Sequence, residues 1–240
     1  MRAVLFDLDN TLTHRSQSIE CFCRAFVQDF AAQLIEPPSP AMLGTRLIQI
    51  DNQGLGHPDN SHPTIRASIA AALHCELMWA DPPSFEHLLD YWTNGFPACA
   101  VTMPGATELL QTLSARGYRL AVLSNGAQQT RQATIEALGF ERFFECVLSS
   151  QALGVAKPDP AIFTLAAERL NLLPSECCYV GDNPENDYFA PISAQMQAFW
   201  LEGFYTVTGQ MPVQTLRELS QLASYTPPLA VQAATHQARE

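Results

Sequence analysis

Lysine is almost absent from this chain. Lys157 is the one lysine in 240 residues, and the other twelve cationic side chains are arginines. A compact ammonium on a flexible stem is therefore kept once, just before Pro158, in a chain that elsewhere uses the planar guanidinium. Either it is a stray surface residue or it serves a site that needs a point charge. Positive charge as a whole is scarce: 13 Lys and Arg against 24 Asp and Glu give a formal net charge of −11. That balance argues against nucleic acid or an anionic membrane surface as a partner. An anionic ligand would have to be met by local positive charge or by a metal.

Other absences narrow the class. There is no C-x-x-C pair, and the seven cysteines are odd in number and sit mostly in apolar runs such as "CFCRAF" and "ECCYVG". The expectation is reduced, packed thiols in a cytoplasmic protein. No stretch approaches 18 apolar residues, so no membrane span is expected. The apolar run in "MRAVLFDLDN" is too short for a signal peptide. What is present is apolar bulk, 47% of the residues. That suffices for one large domain or a domain with a smaller partner.

The runs have a pattern. "AVLF" (3–6) is a short apolar stretch ending at acidic and polar residues, as expected of a buried strand in a parallel sheet. "YRLAVLSNG" (118–126), "FECVLSS" (144–150), "CCYVGDN" (177–183) and "MQAFWLE" (196–202) look alike. Between them, "GATELLQTLSARG" (105–117), "QTRQATIEALGF" (129–140) and "PAIFTLAAERLNL" (160–172) carry apolar residues at helical spacing. Strand–helix alternation over 100–202 predicts a parallel α/β sheet. Residues 15–99 break it. Segments 18–34, 39–50, 62–80 and 84–92 all read as helices, so an all-helical block follows the first strand. The organisation expected is a core of 1–14 and 100–224, a helical domain of 15–99, and a frayed tail of 225–240.

The chemistry gathers at strand ends. Asp7 and Asp9 in "DLDNT" are two apart, so on an extended backbone they would point the same way, and two crowded carboxylates call for a cation or a proton. Ser124, Asn125 and Gly126 stand where a strand gives way to a helix, a place that suits a phosphate oxygen but is also an ordinary turn. Lys157 lies at the head of the segment opening at Pro158, and Asp182 and Asp187 follow the fourth run. Ligands of open parallel sheets bind beyond the carboxyl ends of the strands, so these residues can meet in one place. Several carboxylates there suit a hard divalent cation, and Mg²⁺ fits oxygen ligands and phosphate.

Taken together, "FDLDNTL", "VLSNG", "KPDPAIF" and "GDNPENDYFA" resemble, in order and spacing, the four motifs of the haloacid dehalogenase-like (HAD) hydrolase superfamily. The match covers residues 1–14 and 100–205, and the helical block sits where that family inserts a cap. The resemblance implies a Rossmann-like parallel sheet with helices on both faces plus the cap. It implies that Asp7 is the nucleophile, forming an aspartyl-phosphate, and that Asp9 protonates the leaving group and then activates water. It implies Mg²⁺ held by Asp7, Asp182 and the backbone carbonyl of Asp9. Phosphoryl oxygens would be held by Ser124, Asn125 and Lys157, with Thr11, Asn183 and Asp187 in support. The substrate expected is a small phosphorylated metabolite.

Within the family, the acid at Asp9 argues for phosphoryl transfer over dehalogenation. The absence of lysine from 15–100 excludes the phosphonate hydrolases, which form a Schiff base with a cap lysine. A phosphomutase, or a non-catalytic regulatory protein of the same fold, remains as an alternative. The chain departs from the family's wording at Pro191, which should shorten or kink the helix after Asp187, and at Gln195, which must take a turn that glycine usually makes. His14 and Arg15 could lie at the cap hinge near a ligand or be an ordinary exposed pair. His57 and His62 read as a polar loop, and Trp79, Tyr91 and Trp92 as core.

Overall fold

The computed structural model describes residues 1–207 and 209–229. Six parallel strands form one sheet: β1 (Ala3–Phe6), β2 (Arg119–Ser124), β3 (Cys146–Ser149), β4 (Cys177–Gly181), β5 (Gln197–Leu201) and β6 (Thr215–Leu216), in the order β3-β2-β1-β4-β5-β6. The chain winds outward from β1 in one direction and then in the other. The order therefore reverses between β1 and β4, and a crevice opens beyond the carboxyl ends of those two strands.

Side-chain alternation divides the core. Val4 and Phe6 of β1 face one layer with α5 (Ala106–Ala115) and α6 (Gln128–Ala137); Ala3 and Leu5 face the other with α8 (Ala161–Arg169), which the chain reaches through the one-turn α7 (Ser150–Leu153). Both layers are dry, and β1 is buried along its whole length. That is why its sequence reads as an unbroken apolar run. The strand β6 has only two residues and lies within "VQTLREL", a stretch too mixed to announce it.

Between β1 and α5 stand four α-helices: α1 (Arg15–Asp29), α2 (Pro40–Asp51), α3 (Ile65–Cys75) and α4 (Phe85–Gly95). Ser39, Thr64 and Ser84 cap the last three through their hydroxyls, which fixes where each begins. Ile19, Phe22, Phe26 and Phe30 recur at helical spacing along α1 and build a separate apolar cluster with Leu47, Leu73 and Trp92. Trp79 and Tyr91 pack against that cluster, as expected of core aromatics. The chain leaves and re-enters the sheet side by side. Thr13 bridges Thr102, His14 N–H donates to the Val101 carbonyl, and Val101 N–H donates to Ser18 Oγ.

The helical stretch after β4 is irregular. Pro184–Phe189 forms a wide π turn, and a four-residue helix, α9 (Ala190–Ser193), follows with Pro191 in its first turn. Gln195 adopts φ 67°, the left-handed turn its position demanded. The segment from 225, expected to fray, is held at its start. Thr226 is fully buried, Arg116 donates to the carbonyls of Ala223 and Thr226, and the Tyr118 hydroxyl donates to that of Pro227. The rest of that segment, 230–240, lies outside the described residues.

Candidate active site

The crevice between β1 and β4 collects the motif residues. Asp7 follows β1 directly, and its N–H extends the ladder to the Val180 carbonyl at 2.9 Å. The chain then turns sharply: Asn10 takes φ 56°, and the N–H groups of Leu12 and Thr13 both reach the Leu8 carbonyl at 2.9 Å. Because the backbone leaves the extended state at Leu8, the two aspartates do not share a set of partners, as an extended strand would have had them do. Asp7 belongs to a lysine hub, and Asp9 to a pair of arginines.

Lys157 is the centre of the hub. It stands on the loop before α8, which begins at Ala161 rather than near Pro158. Its Nζ donates to Asp7 Oδ1 at 2.7 Å, to Asp187 Oδ1 at 2.6 Å and to the Tyr179 hydroxyl at 2.9 Å. Three acceptors in different directions use all three protons of an ammonium, a pattern the flat fork of arginine cannot reproduce. Burial disfavours its charge, but Asp187 and Asp7 more than offset this and hold it well above the ordinary lysine range. Tyr179 in turn donates to the Leu123 carbonyl at 2.6 Å, tying the hub to β2.

Asp182 follows β4 on the other side of the crevice. Ligand oxygens of Asp7, Asp182 and Asp187 all lie within 4.8 Å of one another, and all three residues are buried. Burial, then the charges of Asp187 and Asp7, push the Asp182 carboxyl well above its usual value. Its Oδ2 is buried with no hydrogen-bond partner, as is Thr11 Oγ1. Burial also pushes Asp187 up to about 6, against the pull of Lys157. Three carboxylates facing one ammonium leave an excess of negative charge, and the Asp182 oxygen without a hydrogen-bond partner can serve as a cation ligand. The donor set is oxygen-rich and fits a hard divalent cation such as Mg²⁺.

Neighbouring residues hold this arrangement. Asn183 Oδ1 accepts from the N–H groups of Glu185 and Asn186, capping the π turn that carries Asp187, while Asn183 N–H donates to Asp187 Oδ2 at 2.9 Å. Gly181 leaves room for this: a Cβ there would fall within 2.5 Å of Asp187 Cβ and Oδ2. Ser124 is buried at the end of β2. Asn125 has a different task from the phosphate contact expected of it. Its Oδ1 accepts from Lys157 N–H at 2.9 Å and its Nδ2 donates to the Lys157 carbonyl at 3.0 Å. Both ends of the amide are spent on positioning the lysine's backbone.

Asp9 is the larger departure. Arg15 Nη1 lies 2.8 Å from its Oδ1 and Arg131 Nη1 lies 3.0 Å from its Oδ2. Burial opposes its ionisation, but Arg15 and Arg131 prevail and hold it below the ordinary carboxylate value. Arg15 also makes a fork to Asp51, with Nε 2.9 Å from Oδ2 and Nη2 2.7 Å from Oδ1. It is thus a buried strap from the first motif to the end of α2 rather than half of an exposed pair. Arg131 further donates through Nε and Nη2 to the Asn125 carbonyl at 3.0 and 2.6 Å, and the bare Cα of Gly126 lets it approach. Arg131, Tyr179 and Asp51 carried no motif. The one available signal was Tyr179 itself, since a hydroxyl in a wholly buried strand must find a partner.

Fold and site together define a hydrolase of one family. A family profile described as haloacid dehalogenase-like hydrolase matches residues 1–195, and the chain belongs to that family. It is 40% identical over 80 residues to (S)-2-haloacid dehalogenase 4A of Burkholderia cepacia, covering 33% of this chain and 35% of that protein. It is 33% identical over 99 residues to phosphoserine phosphatase of Thermus thermophilus, covering 41% and 40%. The aligned stretches thus span 35% and 40% of these relatives' own lengths. Among solved structures, a putative HAD-hydrolase from Bacillus subtilis bound to magnesium superposes with TM-score 0.69 at 19% identity, covering 94% of this chain and 98% of that one. That likeness is one of fold.

Proposed function

We propose that the protein is a Mg²⁺-dependent hydrolase of a small phosphomonoester, with the helical block of 15–99 acting as a cap over the site. The carrying observation is the charge of the hub: three buried carboxylates, one with an unpartnered oxygen, against a single ammonium. Alkyl transfer from a haloacid does not need this excess negative charge, whereas a carboxylate attacking an anionic phosphoryl group beside a divalent cation does. Asp7 and Asp182 would hold Mg²⁺, which when bound supplies positive charge to the phosphoryl oxygens. Asp7 attacks phosphorus, the bond to the leaving oxygen breaks as that oxygen takes a proton from Asp9, and the phosphoryl group rests on Asp7. Water then attacks phosphorus, Asp9 takes its proton, and phosphate departs with Asp7 restored. Lys157 steadies the attacking carboxylate and keeps a positive charge beside the phosphoryl oxygens. Ser124 closes the pocket from β2. The arginine pair keeps Asp9 in the ionised form that accepts a proton. Giving one to the leaving group in the first step requires that pair to loosen.

A dehalogenase reading has its own support: the similarity to the Burkholderia enzyme and the masking of Asp9 by two arginines. One assay separates the two. Phosphate release from 4-nitrophenyl phosphate should require Mg²⁺, stop with a chelator, and fall at least about a thousandfold in Asp7→Asn. Chloride release from 2-chloropropionate without phosphate release would favour the dehalogenase. Phosphatase activity surviving in Asp7→Asn rules out the mechanism.

A further inference from the structure

Beside the hub, between the helical block and the sheet, lies a cleft of about 420 Å³. Its walls include Arg15, Arg66 and Arg131, the aromatic residues Trp92 and Phe96, and Gly126. No carboxylate lines it. In a chain with 24 acids and 13 bases, three arginines on the walls of one cleft stand out. The cleft abuts the reaction site because two of its arginines are the pair that grips Asp9. Those two are engaged by Asp9, Asp51 and the Asn125 carbonyl. Arg66 is exposed at the cleft and has no carboxylate partner among the described residues.

Two helix beginnings add to the field. Arg66 stands in the first turn of the eleven-residue α3, whose cap residue Thr64 also lines the cleft. Across from it the ten-residue α6 follows the cap residue Ala127, which has no side-chain acceptor; Gln151 Oε1 accepts from the Gln128 N–H at 2.9 Å. Both positive dipole ends, with the guanidinium groups, favour an anion between them. Trp92 and Phe96 give the cleft an apolar wall, and Phe96 lies under the Arg15 guanidinium at 5.5 Å.

We infer that the cleft is an anion subsite, and that the leaving group of the substrate carries a second negative charge, a carboxylate or phosphate, bound by Arg66 with Arg15 and Arg131 behind it. This rests on the phosphatase reading for the bond that is cut, but it concerns the portion that leaves. Preferred substrates are therefore phosphorylated hydroxy acids or bisphosphates rather than neutral sugar or alcohol phosphates. An anion arriving there also competes with Asp9 for its two arginines. The correct substrate thereby loosens the grip on the residue meant to exchange a proton with the leaving oxygen.

The test uses 3-phosphoglycerate and glycerol 3-phosphate, which differ in carrying a carboxylate or a hydroxymethyl group. With Mg²⁺, kcat/KM should favour the carboxylate by about tenfold or more, since a charge-assisted bond is made by one and not the other. Arg66→Gln should bring that ratio toward one, and Arg66→Lys should keep part of it. Calorimetry on Asp7→Asn, which cannot turn over, should show the same preference in Kd. Equal Kd values for the two compounds, or a ratio unmoved by Arg66→Gln, overturn the inference whether or not turnover is seen. A tenfold preference in binding without phosphate release from either compound sustains the anion subsite and sinks the phosphatase reading.

Discussion

Two ionic clusters sit at the head of the sheet, and they are built differently. In the hub, one lysine meets three oxygens of different residues, and carboxylates outnumber the cation. At the junction with the helical block, two arginines meet two aspartates, Asp9 and Asp51, and the charges balance. Ammonium suits the first because its donors splay in three directions; guanidinium suits the second because its fork matches a planar carboxylate. The unbalanced cluster invites a cation. The balanced one, with Arg66 nearby, can receive an anion. A near-absence of lysine therefore marks the one position where the arginine fork is the wrong shape.

The contrast is broken most severely at its centre. Lys157→Met leaves Asp7, Asp182 and Asp187 buried around no positive charge, and should cost about 3–5 kcal/mol of unfolding free energy in urea titrations. Added Mg²⁺ should recover a good part of that loss. Loss below about 1 kcal/mol without metal would mean the hub is less dry than its burial indicates. Lys157→Arg should not rescue, because the fork cannot reach three acceptors.

Metal addition to the unaltered protein comes next. Asp182 and Asp187 have raised values in the folded protein, Asp187 to about 6 through burial. A group raised on folding contributes stability below its unfolded value, about 3.9 for aspartate, and loses it as pH climbs through the folded one. Metal-free stability should therefore fall between about pH 4 and 6 relative to the Mg²⁺-bound protein, and the stabilisation by Mg²⁺ should grow across the same window. At a hundredfold excess over Kd it reaches about 2.7 kcal/mol. Scanning calorimetry at pH 5.0 and 7.5, with and without Mg²⁺, reads the difference, and Asp182→Asn should shrink it. A pH-independent Mg²⁺ shift would place the ion elsewhere. A smaller loss, about 1–3 kcal/mol, is expected of Gly181→Ala, whose methyl overpacks Asp187. It should lower Mg²⁺ affinity along with stability.

How far the sequence foretold these clusters follows from the range over which each is encoded. The strands β1 to β5 announced themselves because each reads as a short apolar run between turn residues, and β1, β2 and β4 are buried on both faces. The hub was legible for the same reason: Asp7, Asp182 and Asp187 stand just past such runs, where the topology forces them together. The arginine junction was not. Arg131 sits on an otherwise ordinary helix, and Asp51 ends another, 36 positions from Arg15. Nothing local distinguishes them from solvated charges. Asp9 was misjudged in its surroundings because the chain bends at Leu8 and turns at Asn10, which the period-two argument cannot see. Asn125 was assigned to the ligand because its motif was right, but its amide is satisfied by the backbone of Lys157.

The smallest effect sharpens the role of burial. Arg46 makes the same kind of fork to Glu76 that Arg15 makes to Asp51, with Nε and Nη2 at 2.8 and 2.6 Å from the two carboxylate oxygens. Its side chains are 48% and 43% exposed, against 11% and 2% for Arg15 and Asp51. Geometry is nearly held constant while solvent changes. A double-mutant cycle on Arg46 and Glu76 should give a coupling of about 0.2–1 kcal/mol that fades in high salt. Removing Arg15 alone leaves the buried Asp51 without its cation and Asp9 with Arg131 only, and should cost several times more, with little response to salt, because the pair lies beyond the reach of mobile ions. Similar values for the two pairs would show that shape, and not exclusion of water, sets the strength of the arginine strap. The balance of charge at the junction would then say little about its readiness to take an anion.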